Sequence, residues 1–171
     1  MPGFDDSRIY FGAWCSTGSA PGKYCCLNAE NGTTMWERSS SNSHGYHWAG
    51  AVVIGDYLVY DDEGGNLISV DKLTGATIED RNVTALLGIP ISSIRSSVSH
   101  SAESDRVLLT VQDGYVCALG FNADDGTFDN GDKWAAKFSD RSTSTPAVCG
   151  GKIYVGSGAY MGAPAGTAAI V

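Results

Sequence analysis

Short apolar runs alternate along this chain with clusters of Gly, Asn, Asp and Ser. The clearest unit is Thr145-Pro146-Ala147-Val148-Cys149-Gly150-Gly151-Lys152-Ile153-Tyr154-Val155-Gly156-Ser157. It reads as two strands about a tight turn. Pro146 suits the start of a strand, Gly150-Gly151 supply positive φ for the hairpin, and Ile153 to Val155 are β-branched and aromatic. The same layout recurs from Ala51 to Tyr60, with weaker copies from Asp5 to Gly12 and from Ser101 to Thr110. Ile9, Leu58, Val107 and Ile153 then stand 49, 49 and 46 residues apart, so the chain is a repeat array.

Within the first repeat the pattern predicts strands over residues 8–14, 23–28 and 33–37. The second repeat gives 51–54, 57–61, 66–71 and 77–80, and the third gives 98–101, 107–112, 115–120 and a strand near Trp134. A long insertion over 82–96 contains Thr84-Ala85-Leu86-Leu87-Gly88, a short helical turn closed by Gly88 and Pro90. The fourth repeat stops within its third strand. Each complete unit is a four-stranded antiparallel meander of about 45 residues, the period of a propeller blade. A lone blade cannot bury both faces of its sheet, so neighbours must stack. The expected fold is all-β, about three and a half blades of a seven- or eight-bladed propeller, with blades over 1–38, 48–83, 97–138 and 143–171. A sandwich with coincidental strand spacing is the competing architecture.

Composition supports many short strands: 22 Gly, 8 Tyr and 4 Trp stand in 171 residues, with 43% hydrophobic and 18% charged. The net charge of -8 leaves no basic stripe for a phosphate backbone, which argues against nucleic acid. No apolar run is long enough to span a membrane as a helix. Met1 to Asp6 lacks the features of a secretory signal, which fits either a cytoplasmic protein or one whose targeting segment is missing from this sequence. The five cysteines, Cys15, Cys25, Cys26, Cys117 and Cys149, have no zinc-type spacing, and three fall in predicted strands, where a thiol packs as a small apolar group.

These residues resemble the pyrroloquinoline-quinone-type (PQQ-like) propeller repeats. Thr145 to Gly156 matches the first half of that repeat, and Leu27-Asn28-Ala29-Glu30-Asn31-Gly32 to Trp36 matches the second. The second repeat keeps Asp71 and Gly75 but has Glu79 where tryptophan is expected. The third keeps Asn122 and Gly126, with Trp134 displaced by the insert Asp129-Asn130-Gly131-Asp132. The resemblance implies a structural role for these residues: Asn or Asp caps a turn, Gly takes the left-handed position, and Trp packs between blades. Family propellers have seven or eight blades. The chain is then either part of a longer protein or one of two copies that join as a homodimer into an eight-bladed ring. Its fourth repeat leaves an open sheet edge.

In a propeller, the loops leading into the first strand of each blade crowd the mouth of the channel. Those leading loops hold His44, His47, Trp48, Arg95, His100, Arg141 and Thr143. Together they offer imidazole, guanidinium, hydroxyl and indole groups for a protein partner or a small polar or anionic ligand. The competing expectation is that they satisfy local backbone groups. His44-x-x-His47 with His100 is a weak metal pattern lacking an adjacent carboxylate. The acidic stretch of Asn122, Asp124, Asp125, Asp129 and Asp132 departs from the EF-hand and reads as a solvated hairpin. Adjacent Cys25-Cys26 matches a disulfide of some quinone-dependent alcohol dehydrogenases in the resembling family, but strand alternation points the two thiols to opposite faces. Two functional readings follow. One is a non-catalytic, extracytoplasmic or cell-surface scaffold without cofactor. The other is a fragment of a PQQ-dependent dehydrogenase, which needs calcium and a carboxylate base. Asp140 is the only acidic residue in the leading loops, which favours the scaffold.

Overall fold

A computed structural model describes residues 2–14, 21–42, 45–47, 49–158 and 168–170. Four antiparallel sheets follow one another along the chain. The first holds β1 (Gly3–Asp5), β2 (Arg8–Gly12), β3 (Lys23–Asn28) and β4 (Thr34–Ser39). The second holds β5 (Val52–Ile54), β6 (Tyr57–Asp61), β7 (Asn66–Asp71) and β8 (Thr77–Asn82). After the short helix α1 (Val83–Leu87) come β9 (Ser99–Ser101), β10 (Arg106–Thr110), β11 (Tyr115–Asn122) and β12 (Thr127–Lys137). Among the described residues the last sheet has three strands, β13 (Ala147–Cys149), β14 (Lys152–Gly156) and β15 (Ala168–Ile170). These are propeller blades, three of them four-stranded.

The first strand of the chain departs from expectation. Residues 8–14 were expected to open the first blade, but Gly3–Asp5 does so, pairing Gly3 with Tyr10 and Asp5 with Arg8. The turn between them places Asp6 and Ser7 at φ 46° and 61° without glycine, which hid the hairpin. Trp14 falls outside β2 and forms an isolated bridge to Gly45. α1 forms as expected, with the Asn82 side chain accepting from the Ala85 N–H and Gly88 at φ 68°.

Strand alternation builds two cores, one in each gap between the first three blades. Tyr10, Tyr24, Cys26 and Trp36 of blade 1 meet Leu58, Tyr60, Ile68 and Val70 of blade 2, with Tyr24 and Tyr60 stacked at 3.8 Å. Val59 and Leu67 of blade 2 meet Val107, Leu109, Cys117 and Leu119 of blade 3, with Val83 from α1 and Ile94 beside them. The repeat motif supports these contacts. Asn28, Asp71 and Asn122 each accept turn N–H groups through Oδ1. The Trp36 indole N–H donates to the Lys72 carbonyl at 3.1 Å. Glu79, standing where Trp36 stands in blade 1, instead accepts from the Phe128 N–H at 2.7 Å.

The displacement of Trp134 in the sequence vanishes in the sheet. Trp134 pairs with Ala118 as Trp36 pairs with Cys26 and Glu79 with Ser69. The extra residues lengthen the β11–β12 hairpin and enter a bulge between Leu119 and Gly120.

Candidate functional site

In a four-stranded meander, the loops leading into the first strand and those joining the second strand to the third lie on the same rim of the blade. Among the described residues, the mouth therefore receives 40–42, 45–47, 49–51, 88–98 and 138–146, together with the second-to-third connections of blades 2 and 3. Hydroxyls hold this rim in place. Ser96 Oγ donates to the Thr110 carbonyl at 3.0 Å, and Thr110 Oγ1 donates to the Ser144 carbonyl at 2.6 Å. Ser142 and Ser144 Oγ lie at 2.7 and 3.0 Å from the Gly156 carbonyl, and the Gly156 N–H donates to Ser144 Oγ. Here the serine-rich leading loops do satisfy backbone groups.

Between blades 1 and 3 the rim becomes charged and aromatic. Asp61, Asp62 and Glu63 follow one another out of β6, and all three are buried. Asp62 caps the connection by accepting from Asn66 N–H and Nδ2, both at 3.0 Å. Arg95, from the next leading loop, holds Glu63 Oε1 through Nε at 2.7 Å and also through its terminal nitrogen. His47 Nδ1 lies 3.8 Å from Glu63 Oε2, and its ring sits 5.0 Å from that of Trp14. Burial depresses the His47 pKa, Glu63 partly opposes this and Arg95 adds to it, so the imidazole is neutral at pH 7 and its approach to Glu63 is a polar contact rather than an ion pair. Trp14 is 49% exposed. With Phe11, Tyr46, His47 and Ala49 it walls a cavity of about 370 Å³.

The predicted site residues divide. His47 and Arg95 meet through Glu63. Arg141 lies one blade further on, beside Ser92 and Asp113 at a second opening of about 290 Å³; there Asp113 Oδ2 accepts from both the Ser92 N–H and Oγ. Thr143 is half-buried in the same leading loop. His100 is not brought to His47: it lies on β9 opposite Val107, its pKa lowered by burial, and its charged neighbour is Asp105 in the turn at the far end of the strand. His44 and Trp48 lie outside the described residues. The expectation that no carboxylate adjoins the histidines is corrected by Glu63 beside His47, and counting only leading loops missed Asp61 at the end of β6 and Asp62, Glu63, Asp113 and Trp14 in the second-to-third connections. The usable signal was the rim shared by both loop sets.

The other candidates are structural. Cys26 is buried in the core between blades 1 and 2, Cys25 lies on the opposite face, and both are free thiols. Asn122 and Asp125 cap turns and Asp132 pairs with Arg106. Among the described residues no group of three His, Cys, Asp or Glu side chains is arranged to hold a metal ion. At the mouth, Glu63 is engaged by Arg95 and Asp113 by Ser92, while burial, then the neighbouring Asp62, raises the Asp61 pKa well above the carboxylate range. This donor set does not fit calcium. Arg95→Met would leave Glu63 buried without its cation and is expected to destabilise the chain by about 1–2 kcal/mol in urea denaturation, a figure reduced because the arginine is partly exposed. Glu63→Gln combined with Arg95→Met is expected to recover part of that loss.

A family model described as outer membrane protein assembly factor BamB matches residues 1–168. The chain belongs to this family of PQQ-like propeller repeats. BamB from Moraxella catarrhalis superposes with a TM-score of 0.63 at 20% identity, over 90% of this chain and 42% of that one. The quinohemoprotein alcohol dehydrogenase from Comamonas testosteroni superposes at 0.65 with 12% identity, over 91% of this chain and 28% of that one. The computationally designed protein Ika4 superposes at 0.59 with 13% identity, over 99% of this chain and 88% of that one. The chain thus spans less than half the length of the two natural proteins. No curated protein sequence matches it significantly.

Proposed function

We propose that this PQQ-like propeller is a binding module without cofactor, working outside the cytoplasm, that holds a protein partner at the mouth between its first two blades. The observation that carries this reading is the aromatic cavity of Phe11, Trp14, Tyr46 and His47. A half-exposed tryptophan beside a neutral imidazole, rimmed by an engaged Arg95–Glu63 pair, has the composition of a protein-interaction hot spot. Carboxylates tied to arginine, serine and asparagine partners position loops and favour recognition over proton transfer. The family's description as an outer membrane assembly factor supports an extracytoplasmic setting and a protein partner.

The test is a titration of the isotopically labelled chain, following the Trp14 indole and His47 ring signals by NMR. One arm adds a short peptide bearing a single aromatic side chain, and the other adds pyrroloquinoline quinone with calcium. The expected result is a saturable shift at Trp14 and His47 with the peptide, lost in Trp14→Ala, and no shift with the quinone. Saturable quinone binding would overturn the reading in favour of the dehydrogenase, and no response to the peptide would remove the cavity as its basis.

A further inference from the structure

Glu63 uses one of its two oxygens. Arg95 donates to Oε1 through Nε at 2.7 Å and through its terminal nitrogen, whereas Oε2 is buried and meets no hydrogen-bond donor among the described residues. With the residue 6% exposed, bulk water does not reach that oxygen. A carboxylate oxygen buried in this way costs stability, and the cost is relieved where a neighbour can become a donor. The neighbour is His47. Its Nδ1 lies 3.8 Å from Oε2, beyond hydrogen-bond range, and its ring centroid lies 5.0 Å from that of Trp14.

One backbone position holds the three side chains in a row. Gly45, just before Tyr46 and His47, forms the bridge to Trp14, and its carbonyl accepts from the Glu63 N–H at 3.0 Å. A Cβ on Gly45 would come within 2.7 Å of the Gly22 Cα, so glycine lets this loop press on the end of blade 1's second strand. The charged groups acting on His47 are Glu63, from the β6–β7 connection, and Arg95, from the loop before β9. Blade 1 presents the uncharged Phe11 and Trp14. Tyr46 keeps its proton, because burial foremost pushes its pKa to about 12. Asp61 and Asp62, which precede Glu63, bear on each other and on Tyr24 and Tyr46 instead.

We propose that His47 is an acid-operated latch on the mouth: protonated, it donates Nδ1–H to Glu63 Oε2 and holds its charged ring against the Trp14 indole, fastening that wall of the cavity to the Glu63–Arg95 pair. A second proton makes both ring nitrogens donors and gives the ring a charge that the carboxylate and the indole face both attract, so the two contacts tighten together. At neutral pH both relax. Resting on the reading of this cavity as a partner's anchor point, the latch makes the partner's hold weaken in acid, where Trp14 is engaged from within.

The experiment is an NMR titration of the isotopically labelled chain from about pH 8 to about pH 4.5 without ligand, following the His47 ring and Trp14 indole signals. The expected result is one shared midpoint, below the ordinary imidazole value because burial foremost opposes the charge. The Trp14 movement is lost in His47→Gln. Glu63→Gln moves the His47 midpoint down and Arg95→Met moves it up, with circular dichroism reporting that each variant is folded. A Trp14 signal that stays still while His47 titrates overturns the proposal, as does a ring that stays neutral to the acid limit. So does a Trp14 movement that survives in His47→Gln, which would belong to Asp61, and so does a His47 midpoint indifferent to Glu63→Gln. Because no ligand is present, failure here leaves the peptide titration at neutral pH intact, and a failed peptide titration leaves these signals to stand by themselves.

Discussion

Trp36→Ala is expected to destabilise the chain by about 3–5 kcal/mol, the range for deleting a large aromatic side chain from a packed interior. The tryptophan is 8% exposed, lies 6.0 Å from the Tyr10 ring and covers Gly75, where a Cβ would sit only 2.7 Å from its ring carbons. It also joins two blades by a hydrogen bond, from its indole N–H to the Lys72 carbonyl. The alanine variant loses both the ring volume and that donor, and leaves a void bounded by a left-handed glycine turn that cannot collapse into it. Trp36→Phe separates the two contributions: most of the apolar contact remains, and the missing hydrogen bond costs about 1 kcal/mol. Gly75→Ala attacks the same contact from the other side, with a methyl driven into the ring at φ 71°. Urea denaturation followed by far-UV circular dichroism measures all three. A loss below about 1 kcal/mol for Trp36→Ala would show that the blade contact rests on the aliphatic residues instead.

The legible parts of the fold were those with strong local rules. Tyr57–Asp61 and Asn66–Asp71 were read at their observed boundaries because β-branched and aromatic alternation and Gly-bearing turns coincide there. The strand Gly3–Asp5 was missed because three residues carry no period and its turn uses Asp6 and Ser7 in place of glycine. Trp134 looked displaced because sequence spacing cannot distinguish an insertion that moves a residue from one that a longer hairpin and a bulge absorb. The site was half legible. His47 and Arg95 were found because leading loops converge at a propeller mouth. Their partner Glu63 was overlooked, as it stands in a Gly-rich connection that reads as an ordinary turn. His100 was counted with the leading loop although it falls within the strand read over residues 98–101, and the structure places it on β9. No rule of spacing reports which way a three-residue strand points its middle side chain.

Asp61 supplies a second large effect, and its sign is fixed by linkage. Its side chain is fully buried on β6, and neither carboxylate oxygen finds a hydrogen-bond partner among the described residues. Burial foremost, with Asp62 adding to it, raises its pKa well above the usual range, so folding takes up a proton at pH values between the unfolded and the folded pKa. A carboxyl raised in this way leaves stability intact below the unfolded pKa of about 4 and erodes it as pH rises toward the folded pKa. The erosion amounts to about 1.4 kcal/mol per pH unit for as long as the folded group stays protonated. Asp61→Asn retains the shape and removes the proton uptake. The variant is expected to match the unaltered chain near pH 4 and to become progressively more stable than it as the pH rises from the unfolded pKa toward the folded one. Urea denaturation of both proteins at three pH values measures the slope. A difference between them that stays constant from pH 5 to pH 7 would mean that Asp61 is ionised within the fold, and that a cation or donor at the channel mouth holds it there.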